Sequence, residues 1–165
     1  MATELGVMET WIYTQLAADK DLGDLVSNRI YTGLAPQGAT LPYVVYHLQA
    51  ASPDTMVVGG RRIQSQALYT VRGISGGHGY GVVESIAEWI DAALHRKRGE
   101  AGDGGVLSCH REMPLRLPPE VGPGGERYWH QGGIYRLRVL GGQTVGAPEE
   151  PEEPEEPEEP EAPEE

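Results

Sequence analysis

Residues 62–94 read RIQSQALYTVRGISGGHGYGVVESIAEWIDAAL, and the spacing of their apolar side chains changes partway along. Up to Gly73 the pattern alternates. Ile63, Ala67, Tyr69 and Val71 fall on one side, and Gln64, Gln66, Thr70 and Arg72 on the other. A period of two predicts a half-exposed antiparallel strand. From Gly81 onward Val82, Val83, Ile86, Ala87, Ile90, Ala93 and Leu94 recur at helical spacing, and the basic run 95–98 follows where the helix dipole favours cations. A glycine-rich connector, residues 73–81, separates the two patterns. One strand and one amphipathic helix in direct succession predict a chain of mixed class.

Upstream, Leu5, Met8, Ile12 and Leu16 make a helical stripe within residues 3–18, with Trp11 and Gln15 beside it and Thr3 placed to cap. Residues 21–26 add a further turn or two, stopped by Ser27 and Asn28. A short extended piece with Ile30 and Tyr31 follows, then a turn-rich loop over 35–42. Pro42 launches a strand over 43–48, and residues 49–60 read as a loop with turn points at Pro53-Asp54 and Gly59-Gly60.

Downstream, residues 99–105 read as a turn, 106–117 as a strand kinked or ended by Pro114, and 118–125 as a loop. Residues 126–140 read as one strand or a pair broken at Gly132-Gly133. The order α, β, β, β, α, β, β contains no repeated strand-helix-strand unit. It predicts an α+β domain: an antiparallel or mixed sheet with two main helices packed on one face. Eight tyrosines and no phenylalanine supply the aromatic bulk. Tyr43, Tyr46, Tyr69 and Tyr135 fall in predicted strands, as ordinary strand aromatics or as groups offered to a neighbouring subunit.

Residues 147–165 repeat a Pro-Glu-Glu unit and hold eleven glutamates and six prolines. With no apolar area to offset ordering entropy and with like charges throughout, this segment is expected to stay unfolded and extended. It reads as a solubilising spacer or as an acidic arm for a basic partner. The expected division is a folded domain over 1–146 and a disordered acidic tail over 147–165. Setting aside the eleven tail glutamates from the 25 acidic residues leaves 14 against 13 Lys and Arg, so the body is close to neutral. A neutral body lacks the cationic excess that nucleic-acid binding ordinarily requires. One cysteine, Cys109, excludes an internal disulfide. Neither a leader nor a membrane-spanning run is apparent, so synthesis in the cytosol and no membrane contact are expected.

No catalytic pattern emerges. The 73–81 connector precedes a helix but lacks the Gly-Lys-Ser/Thr closure of a phosphate loop and the spacing of a dinucleotide fold. Cys109 and His110 are adjacent in a predicted strand and so point to opposite faces, unable to act as nucleophile and base. His47, His78, His95, His110 and His130 lie in separate elements without metal-ligand spacing. Asp19, Asp21 and Asp24 suit helix capping, and Glu84, Glu88 and Asp91 suit a solvated helix face. No enzyme, cofactor or metal is expected.

The N-terminal third then becomes the informative part. The runs LAADKDLGDLV (16–26), Arg29-Ile30-Tyr31, Ala35-Pro36-Gln37-Gly38 and LPYVVY (41–46), in this order and spacing, resemble the opening of tail completion, or tail terminator, proteins of long-tailed bacteriophages. The resemblance is strong to about residue 48 and looser to 140. It implies a non-catalytic virion protein, made in the host cytoplasm, that forms a ring, commonly hexameric, at the head-proximal end of the tail tube. Such a ring stops tube polymerisation and meets the head connector, while DNA passes its lumen unbound. The implied partners are further copies of the chain, the major tail tube protein and a head-completion or connector protein. The Pro-Glu tail departs from the family pattern. A head-to-tail adaptor ring and a cellular binding module with an acidic arm are the alternatives. Subunit and tube contacts are expected on the loops 49–62 and 73–81, at Val57, Val58, Gly59, Arg61, Arg62, Gly76, Gly77, His78 and Tyr80.

Overall fold

The computed structural model describes residues 4–56, 62–102 and 104–140, with the side chains of residues 52–56 and 62 left aside. Asp19 opens the second helix. Its Oδ1 accepts from the Leu22 amide at 2.9 Å and starts α2, Lys20–Val26, immediately after α1, Glu4–Ala18. Asp19→Ala removes that acceptor and is expected to lower stability by about 1 kcal/mol, read as a shift of the urea midpoint at unchanged slope. Helix α1 buries Val7, Met8, Trp11, Ile12 and Leu16, whereas Leu5 is 37% exposed. The buried stripe is therefore rotated toward Val7 and Trp11 from the one the spacing suggested.

Strand β1, Ile30–Thr32, lies parallel to the start of β2, Tyr43–Met56, fixed there by the Val44 amide on the Arg29 carbonyl (2.9 Å) and Arg29 Nε on the Pro42 carbonyl (3.0 Å). Strand β3, Arg62–Gly76, runs antiparallel to β2, and α3, Gly81–Leu94, follows. A three-residue β4, Gly99–Ala101, pairs with β5, Gly104–Val121, which forms a long hairpin with β6, Arg127–Leu140. The six strands form one mixed sheet, curled into a half-barrel, in the order β1-β2-β3-β6-β5-β4.

Several expected loops are strand. Ala50 to Met56 pair with β3, and the turn residues Pro53-Asp54 fall in an irregularity between Ser52 and Thr55 where the register shifts. Gly99–Ala101 pairs with residues 104–106, where a plain turn was expected. Pro114, Pro118 and Pro119 do not end β5. It is paired with β6 on one side and, past the 95–97 segment, has no strand on the other among the described residues, the position in a sheet that proline tolerates. Gly132 and Gly133 do not break β6, because Gly132 sits where β3 comes so close that a Cβ would run into the Val71 carbonyl oxygen and approach the Arg72 Cα to 2.6 Å. Absence of a side chain here is a packing requirement.

Trp11, Tyr69, Tyr135, Met8, Ile86, Ile90 and Leu137 are among the largest fully buried groups. Three strand tyrosines aim their hydroxyls at the helices. Tyr46 donates to the Glu9 carbonyl (3.4 Å), Tyr69 lies 3.5 Å from the Leu5 carbonyl and from Glu9 Oε1, and Tyr135 lies 3.3 Å from Asp91 Oδ1. They are core aromatics with one polar end satisfied, and burial raises the pKa of each above the ordinary phenol value. Cys109 is wholly buried and its thiol is pushed up to about 12 by burial, while His110 is exposed, so the two point apart as alternation requires. Asp91 and Glu84 are not simply solvated: they bind Arg111 (3.2 Å) and Arg116 (2.9 Å) and tie α3 to β5. No helix among the described residues is long and apolar enough to cross a membrane.

Candidate assembly surfaces

One end of the domain is built where the connector after β3 meets the β5–β6 turn. Strand β3 continues to Gly76, so only residues 77–80 form the turn. Gly77 and Gly79 have φ of +93° and +85°, backbone that a side chain strains. The turn is held rather than free. Trp129 Nε1 donates to the Gly77 carbonyl (2.8 Å), the Tyr80 hydroxyl to the Leu117 carbonyl (2.9 Å), and the two rings meet edge to face with centroids 4.7 Å apart. Arg116 places its guanidinium 4.5 Å over the Tyr80 ring while binding Gln131 (3.0 Å) and Glu84. Opposite it, the hairpin turn closes through Gly122 N on Glu126 O (2.8 Å) and Gly125 N on Gly122 O (3.0 Å). The two turns enclose an open groove of about 550 Å³ lined by Gly77, His78, Gly125, Glu126 and Arg127.

Of the residues expected at an interface, Gly76, Gly77, His78 and Tyr80 are thus brought together, joined by Trp129, Arg116 and the 125–127 turn. Sequence reasoning missed these last groups. The signal available was the tryptophan itself, a large aromatic flanked by glycine-rich and charged residues. Arg62 is not at this end. It starts β3, up to ~46 Å along the strand from Gly76 at ~3.3 Å per residue, so Arg62 and the 77–80 turn do not form one site. Val57, Val58, Gly59 and Arg61 lie outside the described residues.

The sheet edges form a second surface. Strand β1 covers β2 only over residues 44–46, and Leu48, Gln49, Ala50 and Ala51 beyond it are exposed on an edge with no strand beside it among the described residues. At the other side β4 and residues 95–97 cover β5 as far as Arg111: Arg96 N donates to Cys109 O (2.8 Å), Cys109 N to Lys97 O (3.0 Å) and Arg111 N to His95 Nδ1 (3.0 Å). Past that point β5 carries Pro114, Pro118 and Pro119, each lacking an N–H, which blunts it as a template for another strand.

A third feature lies on the sheet face opposite Tyr69 and Tyr135. His130 is 3% exposed and neither ring nitrogen has a hydrogen-bond partner among the described residues; Glu120 Oε2 is 3.6 Å away, too far for one. Burial lowers the pKa of His130, Glu120 opposes this and Arg72 adds to it; His47 is lowered by burial and then by Arg72. A histidine whose folded pKa is depressed stabilises the fold above the unfolded value, about 6.5, and that stability is lost as pH falls through 6.5 toward the folded pKa. The urea midpoint is therefore expected to drop between pH 7.5 and 5, and His130→Gln is expected to flatten the drop. An unchanged slope in the variant would assign the dependence to other groups.

Among the described residues no three His, Cys, Asp or Glu side chains gather as a metal site. The fold is an α+β domain with an open-edged mixed sheet and an end where two hydrogen-bonded turns meet. Over residues 10–113, more than half its length, the chain matches the family model of tail completion protein gp17, and it belongs to that family. It is a structural tail completion protein. A chain from the virion of a native gene transfer agent (GTA) particle shares the fold at 21% identity, with a TM-score of 0.62 over 83% of this chain and 97% of that one. A second solved chain, 12% identical over 78% of this chain and 90% of its own, has a TM-score of 0.47 and carries no argument. No curated protein matches.

Proposed function

We propose that the chain forms a homo-oligomeric ring, a hexamer, in the virion at the head-proximal end of the phage tail, where it ends polymerisation of the tube and offers a surface to a head-completion or connector protein. Family membership carries this reading, and the resemblance to a chain from a phage-like virion supports it. The physical argument is closure. Identical subunits close a ring by a heterologous contact, one surface meeting a different surface of the next copy. An open sheet with dissimilar edges at its two sides provides two such surfaces without refolding. Both main helices cover the Tyr69 and Tyr135 side, which leaves the end bearing His78 and the edge bearing Leu48 for other proteins.

The interface residues are those proposed from the sequence, Val57, Val58, Gly59, Arg61 and Arg62 in one group and Gly76, Gly77, His78 and Tyr80 in another. In this reading the two groups contact different partners, the neighbouring copy or the tail tube protein. DNA passes the lumen without specific contacts. A predominance of strand weighs against the adaptor alternative, whose rings are more helical. Mass photometry of the protein alone and mixed with the tail tube protein of the same genome tests the proposal. A closed ring, or a monomer that assembles on tube ends, supports termination; a persistent monomer indifferent to tubes overturns it.

A further inference from the structure

Subtracting the acidic segment left a body of neutral net charge, but that charge is unevenly placed. Arg136 and Arg138 lie on one face of β6, opposite His110 and Ser108 of β5. Arg96, Lys97 and Arg98 follow α3 and run beside β5 at the same height, fixed by the two hydrogen bonds to Cys109. The His95 and His110 rings are 5.9 Å apart across this seam. Arg96, Lys97, Arg98 and Arg138 are exposed, and none makes an ion pair among the described residues. Of the carboxylates nearby, Glu112 is taken by Arg136 at 2.7 Å, and Glu100 on β4 is exposed. Cross-strand spacing of ~4.8 Å makes this a cationic strip roughly 10 Å wide.

The chain leaves β6 beside that strip. Val139 pairs with Val106, and Val106 with Gly99, so the strand end lies two strand spacings, ~10 Å, from the residue after Arg98. Six residues, 141–146, separate Leu140 from the segment 147–165 that holds the eleven glutamates. Fully extended they reach up to ~20 Å. We propose that the acidic segment 147–165, which lies outside the described residues, docks on the strip Arg96-Lys97-Arg98-Arg138 of its own chain. Single exposed ion pairs are weak. A tether that holds many carboxylates at high effective concentration beside four cations that have no ion pair among the described residues makes the sum favourable, and makes it sensitive to salt. This inference does not rest on ring formation.

The sequence provides its own test, since its only lysines are Lys97, in the strip, and Lys20, exposed on α2 among Asp19, Asp21 and Asp24. A water-soluble carbodiimide joins a glutamate carboxylate to a lysine amine within contact distance. Trypsin then leaves residues 139–165 as one acidic peptide, whose cross-linked partner identifies the docking site by mass spectrometry. Expected is a strong preference for Lys97 over Lys20 at about 0.01 M salt, falling at least several-fold at about 1 M as the screening length shortens from ~30 to ~3 Å. The triple variant Arg96→Gln, Arg98→Gln, Arg138→Gln, which keeps Lys97 and releases the acidic peptide from Leu137 instead, should lose the preference. Equal reaction at both lysines, insensitivity to salt or an undiminished yield in the triple variant would overturn the docking. Mixing equal amounts of ¹⁴N and ¹⁵N protein separates arrangements: docking within one chain gives same-isotope cross-links alone, and the appearance of mixed-isotope pairs at the statistical share would overturn it.

Discussion

Gly132→Ala is expected to lower stability by about 3 kcal/mol or more and to abolish cooperative unfolding at elevated temperature. The added methyl meets backbone, the Val71 carbonyl and the Arg72 Cα, with no side chain that could swing aside. Relief requires β3 and β6 to separate at the centre of the sheet, where their pairing runs unbroken from Gln64–Leu140 to Gly76–Tyr128. Two other glycines make the prediction specific. At Gly133 the new Cβ would lie 3.0 Å from Arg111 Cδ and 3.1 Å from the Tyr135 ring, contacts that a flexible arginine can relax, and about 1 kcal/mol is expected. At Gly105 nothing lies within 4 Å and φ is not positive, so Ala should be neutral or slightly stabilising through the unfolded chain. Urea midpoints for the three variants check the ranking. A Gly132→Ala protein as stable as Gly105→Ala would mean that the two strands do not approach as described.

The same glycine shows where sequence reading stops. Alternation in residues 62–73 and the helical stripe after Gly81 reported β3 and α3 well, because one face of each is buried and the period records which. The capping role of Asp19 was legible for the same local reason. Pro53-Asp54, Pro114, Pro118-Pro119 and Gly132-Gly133 read as breaks because their usual meaning is local. Here each lies in a long strand, the prolines at edges or register shifts and the glycine where two backbones press together. Whether a strand is central or at an edge is a property of the whole sheet and leaves no trace in a single window.

The candidate surface was half legible on similar grounds. Gly77 and His78 stand out as a turn before a helix, but the groups that fix the turn, Trp129 and Arg116, come from a hairpin some forty residues on. Of the loop expected over 49–60, Ala50, Ala51, Ser52, Thr55 and Met56 pair with β3. The distance between Arg62 and Gly76 follows from the length of β3, which the expected ending at Gly73 underestimated only slightly. What the period alone did not show is that one continuous strand sets Arg62 at the far end of β3 from the 77–80 turn.

That separation makes the assembly testable in two parts. If the next copy pairs with the uncovered edge of β2, Leu48→Lys with Ala50→Lys puts two charges along the residues that would enter the joint sheet, the device by which natural edge strands resist pairing. Both side chains are already exposed, so the isolated subunit should keep its stability within about 0.5 kcal/mol. Ring formation should weaken by about 100-fold, ~2.8 kcal/mol, and mass photometry should show monomer at concentrations where the parent is closed. His78→Glu, at the other end, alters an exposed residue beside the groove and should spare the ring while impairing tube capping. It is a cleaner probe than Gly77, whose φ of +93° would strain under any side chain. A ring that persists in the double-lysine variant moves the subunit contact off the β2 edge, and with the prolines of β5 blunting the opposite edge, the contact would then have to come from the loop ends. Loss of the ring in His78→Glu would point to the same end, so the two variants together decide which surface closes the ring.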